Sequence, residues 1–316
     1  MPFQRRLIRH NHQLPSPSQR WDTTLNTMPS DFLELLNAAV SYGDDTETID
    51  ERIRCALFEC LFQGMHDNRV ASLFRMIGWS NGFDCYAIAG SPAQSAARTR
   101  ADIERVVSDF AGSCLTAETV LRNYGRSMDD NNDGNAGDDT VVVALIRPLG
   151  AASAEVIGNT VDPFFAADHP LALGPQYANA QGAARTISTA LFCLKAAPAL
   201  VAAVQRIPRP LRSMDALPER ALIGDESARD ELVNMVYRSL AAAGPDDPTL
   251  LTVSTLLKHG GSLEATAKEL NVHPNTIRYR LKRAAESTGW DATDPREAYV
   301  LTCAIALGRI REHATA

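Results

Sequence analysis

The spacing of apolar residues changes along the chain and divides it into three parts. Over residues 29–78, apolar residues recur every three or four positions, which is typical of amphipathic helices. Over residues 79–206, short apolar runs alternate with helical patterns, and the run Val141–Ile146 is apolar enough for a strand buried on both faces. From Met214 onward the pattern is almost entirely helical. This order predicts a mixed α/β protein: N-terminal helices, an α+β domain around one central sheet, and an all-α domain.

Turn residues and the apolar periodicity set the limits of the predicted elements. Strands are expected at Phe83–Ala89, Leu115–Tyr124, Thr140–Arg147 and Leu171–Leu173. Helices before residue 200 are expected at Asp31–Tyr42, Pro92–Phe110, Ala151–Phe165 and Gln176–Ala197, with two more between Thr48 and Ile77. The proline-bearing stretch Ile207–Leu211 is predicted to be a linker. Later helices are expected at Asp225–Leu240, Leu250–Leu257, Leu263–Leu270, Pro274–Thr288 and Pro295–Ile310.

The segment from Leu263 to Leu281 has the spacing of a helix-turn-helix. Small Ala267 lies where two crossing helices must approach closely, and Leu270 and Val272 flank a tight turn. Pro274 suits the first position of the second helix, where its missing N–H costs no hydrogen bond. His273 precedes it at the cap position. The pattern therefore predicts a DNA-binding unit near the C-terminus.

A helical wheel divides the second helix of this motif into an apolar face and a polar face. Asn275, Arg278, Tyr279 and Lys282 are expected to reach base edges, because Asn and Arg side chains form paired hydrogen bonds with bases. Thr276, Arg280 and Arg283 are better placed for phosphates. The predicted DNA-binding residues are His273, Asn275, Thr276, Arg278, Tyr279, Arg280, Lys282 and Arg283.

The net charge of the chain, −7, would by itself argue against a polyanionic partner such as DNA. Residues 249–316, however, hold nine basic and seven acidic residues, so this part carries +2 and the rest of the chain −9. Four of the nine basic residues lie within Arg278–Arg283. Local charge governs attraction to phosphate, so the predicted binding should be confined to this end and sensitive to salt.

These residues also resemble a known family. The run GGSLEATAKELNVHPNTIRYRLKR at Gly260–Arg283, followed by Thr288–Gly289 and Asp294–Pro295, closely resembles the C-terminal domain of PucR/CdaR-type bacterial transcriptional regulators. The upstream segment Leu217–Asp225 is similar to the connector before that domain, especially in actinobacterial members. The resemblance implies a Fis-like helix-turn-helix and a homo-oligomer and, for actinobacterial members, makes control of a lipid or fatty-acid operon a candidate function. The α/β domain is expected to control assembly or to respond to a small-molecule effector.

The family resemblance further implies a degenerate GGDEF-like domain before the connector. Ala136–Thr140 leads into the Val141–Ile146 strand where the GGDEF hairpin would lie, but the second acidic and the aromatic positions of that signature are absent. Cyclase chemistry needs acidic metal ligands together with a nucleotide-binding turn. The chain is therefore predicted not to be an enzyme.

The remaining composition favours a cytoplasmic protein without cofactors. The most apolar stretch, Thr186–Gln205, is interrupted by Lys195 and Pro198, so no membrane span is expected. The six cysteines are not spaced as C-x-x-C, which predicts reduced thiols. No metal site is expected, because the histidines are dispersed and the oxygen-rich run Asp129–Asn135 is followed by Thr140 where an EF-hand needs Glu.

The sequence thus predicts a regulator that binds double-stranded DNA as a dimer or higher homo-oligomer. Two alternatives remain open: a nucleotide-binding or cyclase-like sensor, and a protein-interaction module without DNA binding. The predicted units are a basic flexible arm at 1–28, a helical region at 29–78, an α/β regulatory domain at 79–206, a connector with a helix at 207–248 and the helix-turn-helix domain at 249–316. The arm could also contact DNA or direct the protein to an organelle.

Overall fold

The structure is a computed structural model that describes residues 49–80, 82–121, 139–200, 204 and 206–315. The predicted arm at 1–28, the helix at Asp31–Tyr42 and the run Asp129–Asn135 lie outside these residues. The first elements are α1 (Ile49–Phe62), α2 (Asn68–Met76), β1 (Asp84–Gly90), α3 (Ala96–Asp109), β2 (Ser113–Leu121), β3 (Asp139–Arg147), α4 (Ala154–Val161), β4 (Leu171–Leu173), β5 (Tyr177–Ala178), α5 (Asn179–Leu200) and β6 (Leu211–Arg212).

The second part is helical, as the periodicity predicted. It contains α6 (Leu217–Leu222), α7 (Glu226–Glu231), α8 (Pro248–Lys258), α9 (Leu263–Glu269), α10 (Pro274–Thr288) and α11 (Pro295–Thr315). Helix α7 runs directly into a π-helical segment, Leu232–Tyr237, which ends in the short α-helical segment Arg238–Leu240. The mixed α/β fold with a C-terminal helical region is therefore confirmed.

Local hydrogen bonds move two predicted helix starts. The helix expected from Pro92 begins at Ala96, because the Ser95 side chain accepts a hydrogen bond from the Arg98 N–H and caps it. The helix expected from Gln176 begins at Asn179, because Tyr177–Ala178 first pairs with β1 as strand β5. Both corrections shorten a helix at its N-terminal end without changing its apolar face.

The strands form a sheet in the order β2-β3-β1-β4-β6, with β5 paired to β1. The neighbours of β1, which are β3 and β4, run antiparallel to it, as β2 does to β3. With α3 and α4 as crossovers, β1 to β4 form the split βαβ arrangement of ferredoxin-like folds. Ala136–Asp138 of the GGDEF-like match lies outside the described residues, so that assignment stays a prediction.

Both faces of the sheet are buried. Residues of Val141–Ile146 alternate between the two faces, and each is at most 1% exposed. Val141, Val143 and Leu145 pack under α1, α2 and α5, whereas the alternate residues of the run pack under α3 and α4. The predicted doubly buried strand is confirmed.

The predicted linker at Ile207–Leu211 is wrong at its end. Leu211 is fully buried and begins β6, which pairs in parallel with β4 through Ala172 and Leu173. Just before it, the Arg209 guanidinium donates hydrogen bonds to the Asp162 carboxylate and the Phe165 carbonyl. These contacts dock the segment onto the α/β unit, so little of it is free to act as a linker.

A separate hydrophobic core begins at Leu217 and holds the helical part together. It contains residues of α6, α7, the π-helical segment, α8, α10 and α11, among them Leu232, Val253 and Leu301. The helices before residue 249 thus share one core with the helix-turn-helix, and we call this whole part, Leu217–Thr315, the helical unit. The sequence-based domain limits remain a prediction.

Two further findings concern helix hydropathy and the cysteines. Within the described ranges, no helix is long and apolar enough to cross a membrane. All six cysteines are described, and each carries a free thiol.

Gly308 in α11 gives the first prediction. A methyl group there would overlap the ring of Tyr237, which lies on the π-helical segment packed against α11. We expect Gly308→Ala to lower the free energy of unfolding by about 1–3 kcal/mol through overpacking, measured by urea denaturation.

A double-mutant cycle provides the control for this prediction. In a Tyr237→Ala background the clash is absent, so Gly308→Ala should instead stabilise by about 1 kcal/mol through helix propensity. The same destabilisation in both backgrounds would contradict the proposed packing.

Candidate nucleic-acid interface

Helices α9 and α10 are joined by a tight turn. Helix α9 ends at Glu269 with Leu270 as its C-cap, and Asn271 adopts a left-handed backbone conformation with φ 51°, which Asn tolerates better than most residues. The Val272 N–H then donates to the Ala267 carbonyl at 3.0 Å, and Ala267 is buried as predicted. This geometry defines a helix-turn-helix.

Capping residues fix both ends of α10. The His273 ring nitrogen Nδ1 accepts a hydrogen bond from the Asn275 N–H at 3.2 Å, and Pro274 occupies the first turn. Gly289 ends the helix in the left-handed region, φ 77°, where glycine is favoured. The predicted cap at His273 is confirmed, and its ring is therefore engaged in helix initiation.

One face of α10 is buried and the other is open. Ile277, Leu281 and Ala284 pack into the helical core. Tyr279 is 68% exposed, which is high for a large aromatic side chain. The other exposed predicted residues are His273, Asn275, Arg278, Lys282 and Arg283, while Thr276 is half-buried.

The exposed side chains form weak contacts within their own helix. Arg278 Nη1 donates to Asn275 Oδ1 at 2.9 Å, and Lys282 Nζ lies 3.8 Å from Glu286 Oε1. Exposed pairs of this kind contribute about 1 kcal/mol or less, so a stronger partner can replace them. The outer face thus offers amide, guanidinium, phenol and ammonium groups to a ligand.

Arg280 differs from the other predicted DNA-binding residues. It is half-buried, and its Nη1 donates to Thr252 Oγ1 on α8 at 3.3 Å. Thr252 is itself buried and bonded to the Pro248 carbonyl. In the free protein Arg280 therefore links α10 to α8, and its guanidinium is not free for the predicted phosphate contact.

A carboxylate holds α9 against α8. Glu269 Oε1 accepts from Lys258 Nζ at 2.9 Å, and Glu269 Oε2 contacts His259 Nε2 at 2.6 Å. The hydrogen bonds from Lys258 and then His259 hold the pKa of Glu269 below its usual range. This contact links the first helix of the motif, α9, to α8.

The connector segment Leu217–Asp225 contains a buried ion pair. The Arg220 side chain is 0% exposed, and its Nη2 lies 2.7 Å from Asp225 Oδ2. Arg220 Nη1 also donates to the Ser213 carbonyl, just after β6. Asp225 Oδ1 accepts from the Ser227 N–H and caps α7. Both members of this ion pair thus have further hydrogen-bond partners.

A second ion pair ties the connector to the last helix. Arg296 Nη1 and Nη2 donate to the two oxygens of Glu219 at 2.6 and 2.7 Å, and Nη2 also reaches the Asp215 carbonyl. The Glu219 carboxylate raises the pKa of Arg296 above its usual value. Since Glu219 is buried, its orientation depends on Arg296.

The sequence pattern does not predict the two ion pairs of the connector. Glu219 and Arg220 stand inside the apolar run Leu217–Ile223, and charged residues in an apolar helix are rarely buried unless paired. That pattern could have marked both residues as members of ion pairs. Nothing local identifies Arg296, 77 residues later, as one of them.

Within the described residues, no group of three or more His, Cys, Asp or Glu side chains is arranged to hold a metal ion.

Comparisons with known proteins agree with this geometry. Residues 249–307 match the model for the PucR C-terminal helix-turn-helix domain. A crystal structure of a regulator of polyketide synthase expression from Bifidobacterium adolescentis is 46% identical, with a TM-score of 0.74, over 90% of this chain and 100% of that chain. The purine catabolism regulatory protein of Bacillus subtilis is 36% identical over 78 residues, 24% of this chain and 15% of that protein.

A protein of Mycobacterium tuberculosis described as uncharacterized is 33% identical over 279 residues. The match covers 86% of this chain but only 62% of that relative's length. From the helix-turn-helix match and the solved relative, the chain belongs to the PucR family of transcriptional regulators.

The Glu219–Arg296 pair gives the second prediction. Arg296→Met leaves a buried carboxylate without its partner, so the free energy of unfolding should fall by about 3 kcal/mol in urea denaturation. Arg105→Met, which breaks the exposed pair with Asp102, is the matched control and should cost about 1 kcal/mol or less.

The double variant Arg296→Met with Glu219→Leu should recover most of the loss, because removing both charges is often nearly neutral. Equal effects of Arg296→Met and Arg105→Met would contradict the importance of the pair.

Proposed function

We propose that the helical unit binds double-stranded DNA with α10 in the major groove. Asn275, Arg278, Tyr279 and Lys282 would read base edges, and Thr276 and Arg283 would contact phosphates. The observation that carries this proposal is the open face of α10, where these polar groups surround an exposed Tyr279 above a fully packed inner face. His273 contributes by capping the helix whose first turn enters the groove.

The Arg280 side chain already has a partner within the helical unit when no DNA is bound. Its hydrogen bond to Thr252 links α10 to α8 in the free protein. The predicted phosphate contact would require the guanidinium to leave Thr252 or to bind phosphate with its remaining N–H groups, since Arg offers five donors.

A homo-oligomer, at least a dimer, is part of the same proposal. One recognition helix reads only a few base pairs, and helix-turn-helix dimers bind two half-sites related by the protein's own symmetry. The α/β unit would control assembly or respond to a small-molecule effector, and the protein would act in the cytoplasm as a regulator and not as an enzyme.

The target operon is proposed from the relatives. The Bifidobacterium protein is described as a regulator of polyketide synthase expression. For this chain we propose an operon of acyl-chain assembly, such as one for lipid or fatty-acid synthesis. Genome-wide mapping of bound sites tests this, and binding sites confined to unrelated genes would refute it.

The third prediction concerns Arg278. Arg278→Ala should remove a base contact, lowering affinity for the selected DNA site by about 1–3 kcal/mol and relaxing sequence preference, while the protein stays folded. Arg283→Ala, a proposed phosphate contact, should weaken all sequences alike and reduce the slope of log affinity against log salt by about 1.

Arg309→Ala is the matched control for both variants. Arg309 contacts Ser254 on α8. Ser254 lies about 200° around α8 from Thr252, the partner of Arg280, so Arg309 binds the side of α8 that faces away from α10. Its loss should leave affinity and selectivity nearly unchanged. Unchanged selectivity in Arg278→Ala would refute the role of α10, and an absence of DNA binding by the wild type at low salt would favour a protein-interaction module.

A further inference from the structure

The last helix, α11, has two apolar faces. Val300, Leu301, Ala304 and Ile305 form the inner face and are buried in the helical core. The outer face carries a second apolar stripe, with spacing typical of a helix that packs against another. Its residues are Cys303, Ala306, Leu307, Ile310 and Ala314. A helix that is apolar on both sides is usually buried on both.

The outer face of α11 forms one wall of an open groove of about 520 Å³. The other wall consists of α6, α7 and the start of the π-helical segment, with Pro218, Ala221 and Val233. Leu222 is 65% exposed and Ile310 is 64% exposed, although both are large aliphatic residues. Such an exposed apolar surface is typical of an interaction site.

The groove and the recognition helix lie on different sides of the helical unit. The groove is lined by residues of α6, α7, the π-helical segment and α11. Helix α10 instead packs mainly against α8, α9 and Arg238–Leu240. An occupant of the groove would therefore leave the outer face of α10 free to bind DNA.

The charges around the groove are balanced. Arg229 Nη1 lies 2.6 Å from Glu226 Oε1, and Arg311 Nη2 lies 2.7 Å from Asp230 Oδ1. A small anion would meet guanidinium groups that carboxylates already neutralise. A surface with both signs is self-complementary, because across a two-fold axis each cation can face an acid of the other copy.

We propose that this groove is the interface at which a second copy of the chain docks, with the two α11 outer faces packed together about a two-fold axis. From Cys303 to Ala314 the stripe is about 16 Å long, enough for several turns of helix-helix packing. This inference rests on the proposed function, which needs two α10 helices per DNA site, and assigns the surface that pairs them.

The test uses the full-length chain in sedimentation equilibrium. The wild type should have twice the mass of one chain, and Ile310→Glu and Leu222→Glu should each be monomeric. Both positions are exposed, so the variants should fold, as checked by circular dichroism. Met235→Glu is the matched control, because Met235 is 59% exposed in the same helical unit but outside the groove; it should remain dimeric.

Binding to DNA gives the second readout. Ile310→Glu should lose about 100-fold in affinity for a two-fold site, through the loss of bivalent binding, while its affinity for a single half-site stays unchanged. A monomeric wild type, or an Ile310→Glu protein that remains dimeric, would overturn the proposal. So would native mass spectrometry showing a small amphiphile bound to a monomeric wild type.

These outcomes are separate from those for the proposed function. A wild-type dimer that Ile310→Glu dissociates, but that binds no DNA, would refute the DNA-binding proposal and uphold the interface. A wild-type dimer that binds DNA through Arg278, but that Ile310→Glu leaves intact, would do the reverse.

Discussion

The buried Arg220–Asp225 ion pair fixes the junction between the two hydrophobic cores, and the placement of the helix-turn-helix depends on it. Breaking such a pair leaves a charge in an apolar setting, which costs about 3–5 kcal/mol, so the junction has one strongly preferred geometry. Arg220 also bonds the Ser213 carbonyl beside β6, and Asp225 caps α7. Beside them, Glu219 binds Arg296 at the start of α11. Continuous polar contacts thus connect the sheet edge to the helical unit.

Features set by local pattern were predictable from the sequence. The apolar run Val141–Ile146 required burial on both sides, and the alternation of its residues between two cores follows from strand geometry alone. In the same way, Pro274 after His273 marked the start of α10, and Ala267 marked the close contact within the helix-turn-helix. The inner face of α10 also followed from the helical period. In each case the decisive residues lie within a few positions of one another.

Features set by distant contacts were not predictable. Leu211 reads as part of a proline-rich linker because a two-residue strand has no pattern of its own; only its pairing with β4 makes it a strand. Arg280 lies about 40° from Ala284 on the helical wheel, at the edge of the apolar face. The wheel could not show, however, that its guanidinium bonds to Thr252, 28 residues earlier on α8. The second apolar face of α11 was readable in principle, since Leu307 and Ile310 continue the apolar pattern. The sequence pattern could not show where α6 lies, and it is α6 that makes this face of α11 one wall of a groove.

Two α10 helices, paired by the protein's own symmetry, are proposed to read DNA. Selection of bound sequences from a random duplex library by the full-length chain measures this pairing. It should enrich an inverted repeat whose half-sites are about 10 base pairs apart, centre to centre, or a multiple of that. Enrichment of an unrepeated sequence, or of none at all, would contradict this pairing.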